Sequence, residues 1–310
     1  MRVVFLGTPE FAVPTLRQLL DNSYDVCGVF TQPDRPAGRG HKLHPGPVKT
    51  LALMRDIPVF QPEKIRLEEN RGIFEALQPD FIVVVAYGQI LPGWLLNSAR
   101  LASINIHASL LPRYRGAAPM PWAIMNGETV TGVSTMIMHE KLDSGPILMQ
   151  QSFPLPPQMT AGELSNALSE MGAHLLIQTL SKFRRNELAP IAQDEGLVTW
   201  APRITKEISR ISLEKPAHEI HNLVRGLNPW PVAYCEFHGV RLHIWRSQLE
   251  EETAGDVPGT ILGFSGDAML VQCGKRTVLG LQEVQMPGKS RITGRQFANG
   301  SRLHAGDRIA

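Results

Sequence analysis

Residues 102–116 read ASINIHASLLPRYRG, and further along Leu142–Gly145 read LDSG. A strand sends side chains at i and i+2 to one face, so Asn105 and His107 share a side while Ile104 and Ile106 take the other. Pro112 and Gly116 then force a loop, and open α/β sheets bind ligands where strands end in loops. Asp143 sits in a second turn and can bring a carboxylate. An amide and an imidazole that donate, with a carboxylate that accepts, suit acyl transfer to an amine. Such a reaction needs donors for the oxyanion of a tetrahedral intermediate and a route for the amine proton. A carboxylate beside the imidazole would let the ring carry positive charge against that oxyanion. The chain has ten histidines, and an isolated histidine near a strand end is usually a hydrogen-bonded structural residue. The shared face with Asn105 and the downstream aspartate turn set His107 apart, although spacing alone does not bring Asp143 to it. Cys27, Cys235 and Cys273 are far apart and no GxSxG elbow is present, so direct transfer is expected rather than a covalent intermediate.

The elements that must position these groups alternate. Arg2–Leu6 is expected as a buried strand, followed by a helix capped by Thr8, opened by Pro9 and running to about Leu20. Asp25–Phe30, Phe81–Ala86 and Ala102–His107 follow as strands, with a helix over Pro47–Arg55 and an apolar stretch near Val59. Gly132–Met138 and Ile147–Phe153 form a pair around the Asp143 turn, and Thr160 with Glu163 makes a capping box for a helix to about Arg185. Continuous apolar strands alternating with helices imply an α/β class with a Rossmann-like, mostly parallel sheet. The loop GTPEFA lacks the GxGxxG spacing, so Gly7 is read as a turn and no dinucleotide is assigned.

After Glu187 the pattern changes. Residues 190–207 read as a linker, so the expected division is a catalytic domain over 1–189 and a second domain over 208–310. The latter has a short helix over Pro216–Arg225, strands over Ala233–Phe237 and Val240–Trp245 around a His238–Gly239 turn, and strands near Thr260, Leu270 and Leu279. These suggest a small β-barrel. The apolar start Val3–Leu6 is interrupted by Gly7 and Pro9, and the run from Phe81 is too short to span a bilayer. With no paired-cysteine framework and no heptad seam, a cytoplasmic monomer that does not engage membranes is expected.

The net charge is only +2, so any nucleic-acid surface must come from local patches. Residues 33–49 carry Arg35, Arg39, Lys42 and Lys49 against Asp34, and three glycines and four prolines there are expected to prevent regular structure. The loop either folds against a phosphate backbone, gaining affinity by counterion release, or is simply solvated. A second patch holds Lys275, Arg276, Lys289, Arg291, Arg295, Arg302 and Arg308 against Glu283 and Asp307. Phe297 is among the few aromatics nearby, so phosphate contacts are expected rather than base stacking.

NIHASLLPRYRG with LDSG closely resembles the signature of the folate-dependent formyltransferases. GTPEFAVPTL, TQPDRPAGRGHKL, VVVAYGQILP and LNPWP extend the resemblance, toward the tRNA-acting branch, over nearly the whole chain. The resemblance implies that Asn105, His107 and Asp143 form the catalytic trio and that Ser109, Leu110, Leu111 and Pro112 contact folate. Gly88, Gln89, Ile90 and Leu91 would line the pteridine pocket mainly through their backbone. It also implies an OB-like second domain, 10-formyltetrahydrofolate as formyl donor, methionyl-initiator tRNA as acceptor and no metal. The sequence departs from the usual pattern at Met120–Pro121–Trp122 and at His139–Glu140–Lys141. The WAIMNGET stretch, Trp122–Thr129, is similar to formyltransferases acting on amino-sugar nucleotides, which is the alternative reading.

Overall fold

The computed structural model describes residues 1–37, 42–251, 255 and 257–309, with the backbone alone at 36, 37, 42 and 43. The chain divides into two compact units. The first comprises Met1–Gly116, Val130–Pro154 and Ser165–Ala201, and the second Ala117–Thr129, Leu155–Leu164 and Pro202–Ala310. These boundaries differ from the division expected at 190–207. Ile191 and Ile147 exchange backbone hydrogen bonds at 2.8 and 2.9 Å, and Ala201 N donates to Arg115 O at 2.7 Å, which stitches 190–201 to the first unit. Composition reads such a stretch as a linker because its main-chain pairing leaves no local pattern.

The first unit is built on β1 (Arg2–Gly7), β2 (Asp25–Phe30), β5 (Val59–Phe60), β6 (Phe81–Val85), β7 (Ala102–His107), β8 (Val130–Ile137) and β9 (Ile147–Pro154), between which β3 (Arg35–Ala37) and β4 (Lys42–His44) form a separate ribbon. The sheet order is β5-β2-β1-β6-β7-β8-β9. Pairing is parallel from β5 to β7 and antiparallel from β7 to β9. One face packs Val3, Phe5, Val83, Val85, Ile104 and Ile106 against Leu16 and Leu19 of α1 (Val13–Asp21) and Ala52 of α2 (Pro47–Met54). The other packs Val4, Leu6, Ile82 and Val84 against Phe74 of α3 (Arg71–Leu77) and Leu95 of α4 (Gly93–Leu96). Both faces are covered, which is why the parallel strands read as unbroken apolar runs.

The helix expected from Thr8 starts later. A 3-10 turn over Glu10–Ala12 precedes α1, and Thr8 Oγ1 accepts from Gln32 N at 3.0 Å instead of capping. Within 33–49, residues 35–37 and 42–44 take regular structure that the prolines and glycines do not suggest, because β3 pairs antiparallel with β4.

In the second unit α5 (Pro119–Met125) and α7 (Ala217–Gly226) lie together. Trp122 and Met125 pack on the core formed by Ile220, Val224, Leu242, Ile244 and Leu281. The antiparallel order is β10-β11-β14-β13-β12, made of β10 (Ala233–Phe237), β11 (Val240–Glu250), β12 (Ile261–Ser265), β13 (Ala268–Gln272) and β14 (Val278–Gln285), with β15 (Ile292–Thr293) on β14. His238 and Gly239 turn between β10 and β11 with φ of 49° and 75°, the left-handed pair a tight hairpin requires. The helix α6 (Ala161–Arg184) carries the expected capping box, in which Thr160 N donates to Glu163 Oε2 at 2.8 Å and Glu163 N to Thr160 Oγ1 at 3.3 Å. A second box, between Thr293 and Gln296, opens α8 (Gly294–Ser301). That T-x-x-Q signal was available in the sequence and was missed. No helix among the described residues is long and apolar enough to cross a membrane.

Candidate active site

Alternation along β7 does what the spacing predicts. Ile104 and Ile106 enter the α1-side core, while Asn105 and His107, both buried at 8% and 6% exposure, belong to the opposite face. His107 Nε2 lies 2.8 Å from Tyr114 O. A carbonyl only accepts, so Nε2 carries a proton and Nδ1 is the ring nitrogen that faces other groups. It faces Asp143 Oδ2 at 3.6 Å, within ion-pair reach though longer than a direct hydrogen bond. The same carboxylate oxygen accepts from Gly116 N at 2.8 Å. The sheet therefore places the imidazole and the carboxylate side by side, and the loop after β7 fixes both.

The turn between β8 and β9 doubles back tightly to achieve this. Asp143 is left-handed at φ 48°, and a Cβ on Gly145 would collide with the Ile137 carbonyl oxygen. Of the departures upstream, Lys141 Nζ lies 3.7 Å from Glu195 Oε2, and Glu140 occupies the space beside Gly93.

The Ser109–Pro112 segment is held by two residues that sequence reading missed. Ser134 Oγ accepts from Leu111 N at 3.1 Å and from Gln150 Nε2 at 2.8 Å, and donates to Ser109 O at 2.6 Å. Gln150 Nε2 also donates to Leu111 O at 2.9 Å. Ser134 thus has its one donor and both acceptor positions used. Ser109 is fully buried, its hydroxyl donating to Arg113 O. Leu111 packs with Met136 and Ile147. Nothing local to β8 or β9 marks these residues, because their partners lie on the facing loop.

In the Gly88–Leu91 stretch, Gly88 takes φ 86°. Gln89 turns its side chain away into the 62–65 loop, accepting from Ile65 N at 2.8 Å and donating to Glu63 O at 3.2 Å. Leu91 is buried and Ile90 is 82% exposed. The Gln89 side chain is thus engaged within the protein, and Ile90 carries the exposed side chain of this stretch.

The basic residues fare differently. Arg35 is exposed on β3, and Arg39 lies outside the described residues. Lys42 is placed on β4 by its backbone alone. Lys49 is on α2, within the helix expected over Pro47–Arg55, and its ammonium is engaged by Asp34 Oδ2 and Gln61 Oε1, both at 2.6 Å. The hydrogen bonds from Lys49 and then Gln61 hold the Asp34 carboxyl below the usual carboxylate range. In the second unit Lys289 is exposed, and Arg291 stacks over Trp245 at 3.2 Å from the ring centroid. Phe297 is buried in the core and presents nothing to a partner.

The arrangement defines a class before it defines a member. Residues 1–180 match the formyl transferase family model and residues 203–302 the model for the formyl transferase C-terminal domain. A methionyl-tRNA formyltransferase of Clostridium novyi is 46% identical over 98% of both chains. Another, from Geobacter sulfurreducens, is 45% identical over 100% of this chain and 96% of its own. The chain belongs to the methionyl-tRNA formyltransferase family. In fold it is similar to a solved N-formyltransferase of Helicobacter canadensis in complex with folinic acid and dTDP-3-aminofucose. That likeness has TM-score 0.67 and 20% identity over 92% of this chain and 98% of the other.

Proposed function

We propose that the chain transfers the formyl group of 10-formyltetrahydrofolate to the α-amine of methionyl-initiator tRNA, giving N-formylmethionyl-tRNA for translation initiation. The observation that carries the chemistry is the His107 Nδ1 edge facing Asp143 Oδ2 beside Asn105. The amine nitrogen attacks the formyl carbon, forming the new C–N bond, and Asn105 and His107 stabilise the oxyanion. Asp143 assists removal of the amine proton, and collapse breaks the bond to N10 of the folate, which takes up a proton. Tetrahydrofolate and the formylated aminoacyl-tRNA leave. The backbone of Gly88–Leu91 and the Ser134-braced Ser109–Pro112 segment are the groups we assign to the folate.

Acceptor choice is supported by 45–46% identity over nearly the full length to relatives named for methionyl-tRNA. The WAIMNGET stretch, which suggested an amino-sugar nucleotide, has a structural use in the second unit. Trp122 Nε1 donates to Pro202 O at 2.8 Å, and Trp122 and Met125 pack on the core. Arg35, Lys289 and Arg291 are the described cations we assign to the tRNA backbone, and the enzyme would act as a cytoplasmic monomer. The test is to offer purified protein 10-formyltetrahydrofolate with methionylated initiator tRNA or with a 4-amino-sugar nucleotide, and to follow each acceptor by mass. Formylation of the tRNA alone is expected. Formylation of the sugar nucleotide alone would overturn the acceptor assignment.

A further inference from the structure

Arg115 is the largest fully buried side chain among the described residues. Its terminal nitrogens hold Glu195 at 2.9 and 3.3 Å, and its Nε donates to Gln193 Oε1 at 3.0 Å. Gln193 passes the contact on, with Nε2 donating to both Asp143 O and Gly145 O at 2.8 Å. All five residues belong to the first unit. A primary amide has two N–H donors and a carbonyl acceptor in one plane. Here the acceptor is taken by a guanidinium whose own backbone is fixed, Arg115 N donating to Thr199 O at 2.9 Å and Arg115 O accepting from Ala201 N at 2.7 Å. The two donors are thereby aimed at the carbonyls that flank the Asp143 turn.

Three consecutive residues thus reach the same spot by different routes. Tyr114 O holds the His107 ring. The Arg115 guanidinium acts through Gln193 on the main chain of the turn, and Gly116 N holds the Asp143 carboxylate. Asp143 lies in the left-handed region at φ 48°, which a non-glycine residue occupies at a cost unless its surroundings impose it. Burying a guanidinium is also costly unless its hydrogens are matched. Here one of those hydrogens orients an amide that touches the turn and none of the proposed reacting groups.

We propose that Gln193, oriented by Arg115, is a positioning residue for formyl transfer, clamping the Asp143 turn so that its carboxylate stays against His107. The inference rests on the formyl-transfer reading above. Two variants separate the clamp from simple packing. Gln193→Met removes the donors and the acceptor at similar volume, whereas Gln193→Glu keeps an acceptor for Arg115 Nε but offers the two carbonyls no N–H. In both, kcat for formylation of methionyl-tRNA is expected to fall about 100-fold. KM for either substrate should stay within about threefold, since the clamp acts on the reacting geometry and not on binding. Unchanged kcat, a rise in KM alone, or rescue by Gln193→Glu would overturn the proposal. Wild-type turnover on each acceptor tests the earlier reading separately. Hydrogen exchange at the Gly116 amide tests the clamp without turnover: faster exchange in Gln193→Met, with β1 and β6 amides unchanged, is expected, and unchanged Gly116 protection would overturn it.

Discussion

Gly116 N donates to Asp143 Oδ2 at 2.8 Å, so the loop that follows the histidine-bearing strand also holds the carboxylate that faces the histidine. Asp143→Asn separates charge from geometry. The amide oxygen can still accept from Gly116, while the charge and the proposed base are lost. Turnover is expected to fall by about 10²- to 10⁴-fold, with a thermal midpoint close to wild type. Steady-state kinetics and a melt on the same preparation check both halves.

His107→Ala should behave differently. It removes the imidazole and with it the hydrogen bond to the Tyr114 carbonyl, a loss of about 0.5–1.5 kcal/mol. Turnover is expected to drop by about 10²- to 10⁴-fold, and denaturant unfolding should show the destabilisation that Asp143→Asn lacks.

Ser134→Ala tests the proposed folate segment. Three hydrogen bonds meet at its hydroxyl, and their loss frees the Leu111 amide and the Ser109 carbonyl. A destabilisation of about 1–3 kcal/mol is expected, together with a higher KM for the formyl donor and a smaller effect on KM for the tRNA. Kinetics with each substrate varied in turn provide the check.

The Asp34–Lys49 pair gives a pH dependence with a defined sign. Hydrogen bonds from Lys49 and then Gln61 lower the Asp34 carboxyl in the folded protein. Its contribution is therefore complete above the unfolded carboxylate range near about pH 4 and is lost as pH falls through the lower folded value. Asp34→Asn should lower the thermal midpoint at pH 7, and the gap from wild type should narrow towards pH 3. A constant gap would show that the charge is not what stabilises the site.

The strands of the first unit and the shared face of Asn105 and His107 were legible in the sequence, because period-two alternation and long apolar runs are local patterns. The β3–β4 ribbon was not, since its prolines and glycines mask a pairing that depends on register. Ser134, Gln150 and Gln193 were silent for a related reason. Each acts on a loop 23 or more residues away in sequence, and a polar residue on a strand or in an irregular segment carries no sign of what it will meet. Lys49 shows the converse: counted among the cations open to a phosphate backbone, it is already paired with Asp34. Charge counting sees sign and spacing but not prior engagement.

The His107 ring and the Asp143 carboxylate are both moored to peptide groups, Tyr114 O and Gly116 N. An amino-acid replacement can delete a side-chain partner but cannot delete a peptide carbonyl, and only proline deletes a peptide N–H. These moorings therefore withstand most point mutations within the loop itself and give way when its path is redrawn by insertion, deletion or an incompatible turn, or when the Gln193 clamp is removed. Directed evolution of new acceptors on this scaffold should accordingly randomise side chains at fixed loop length, since changes in length strike the reaction before they reach specificity.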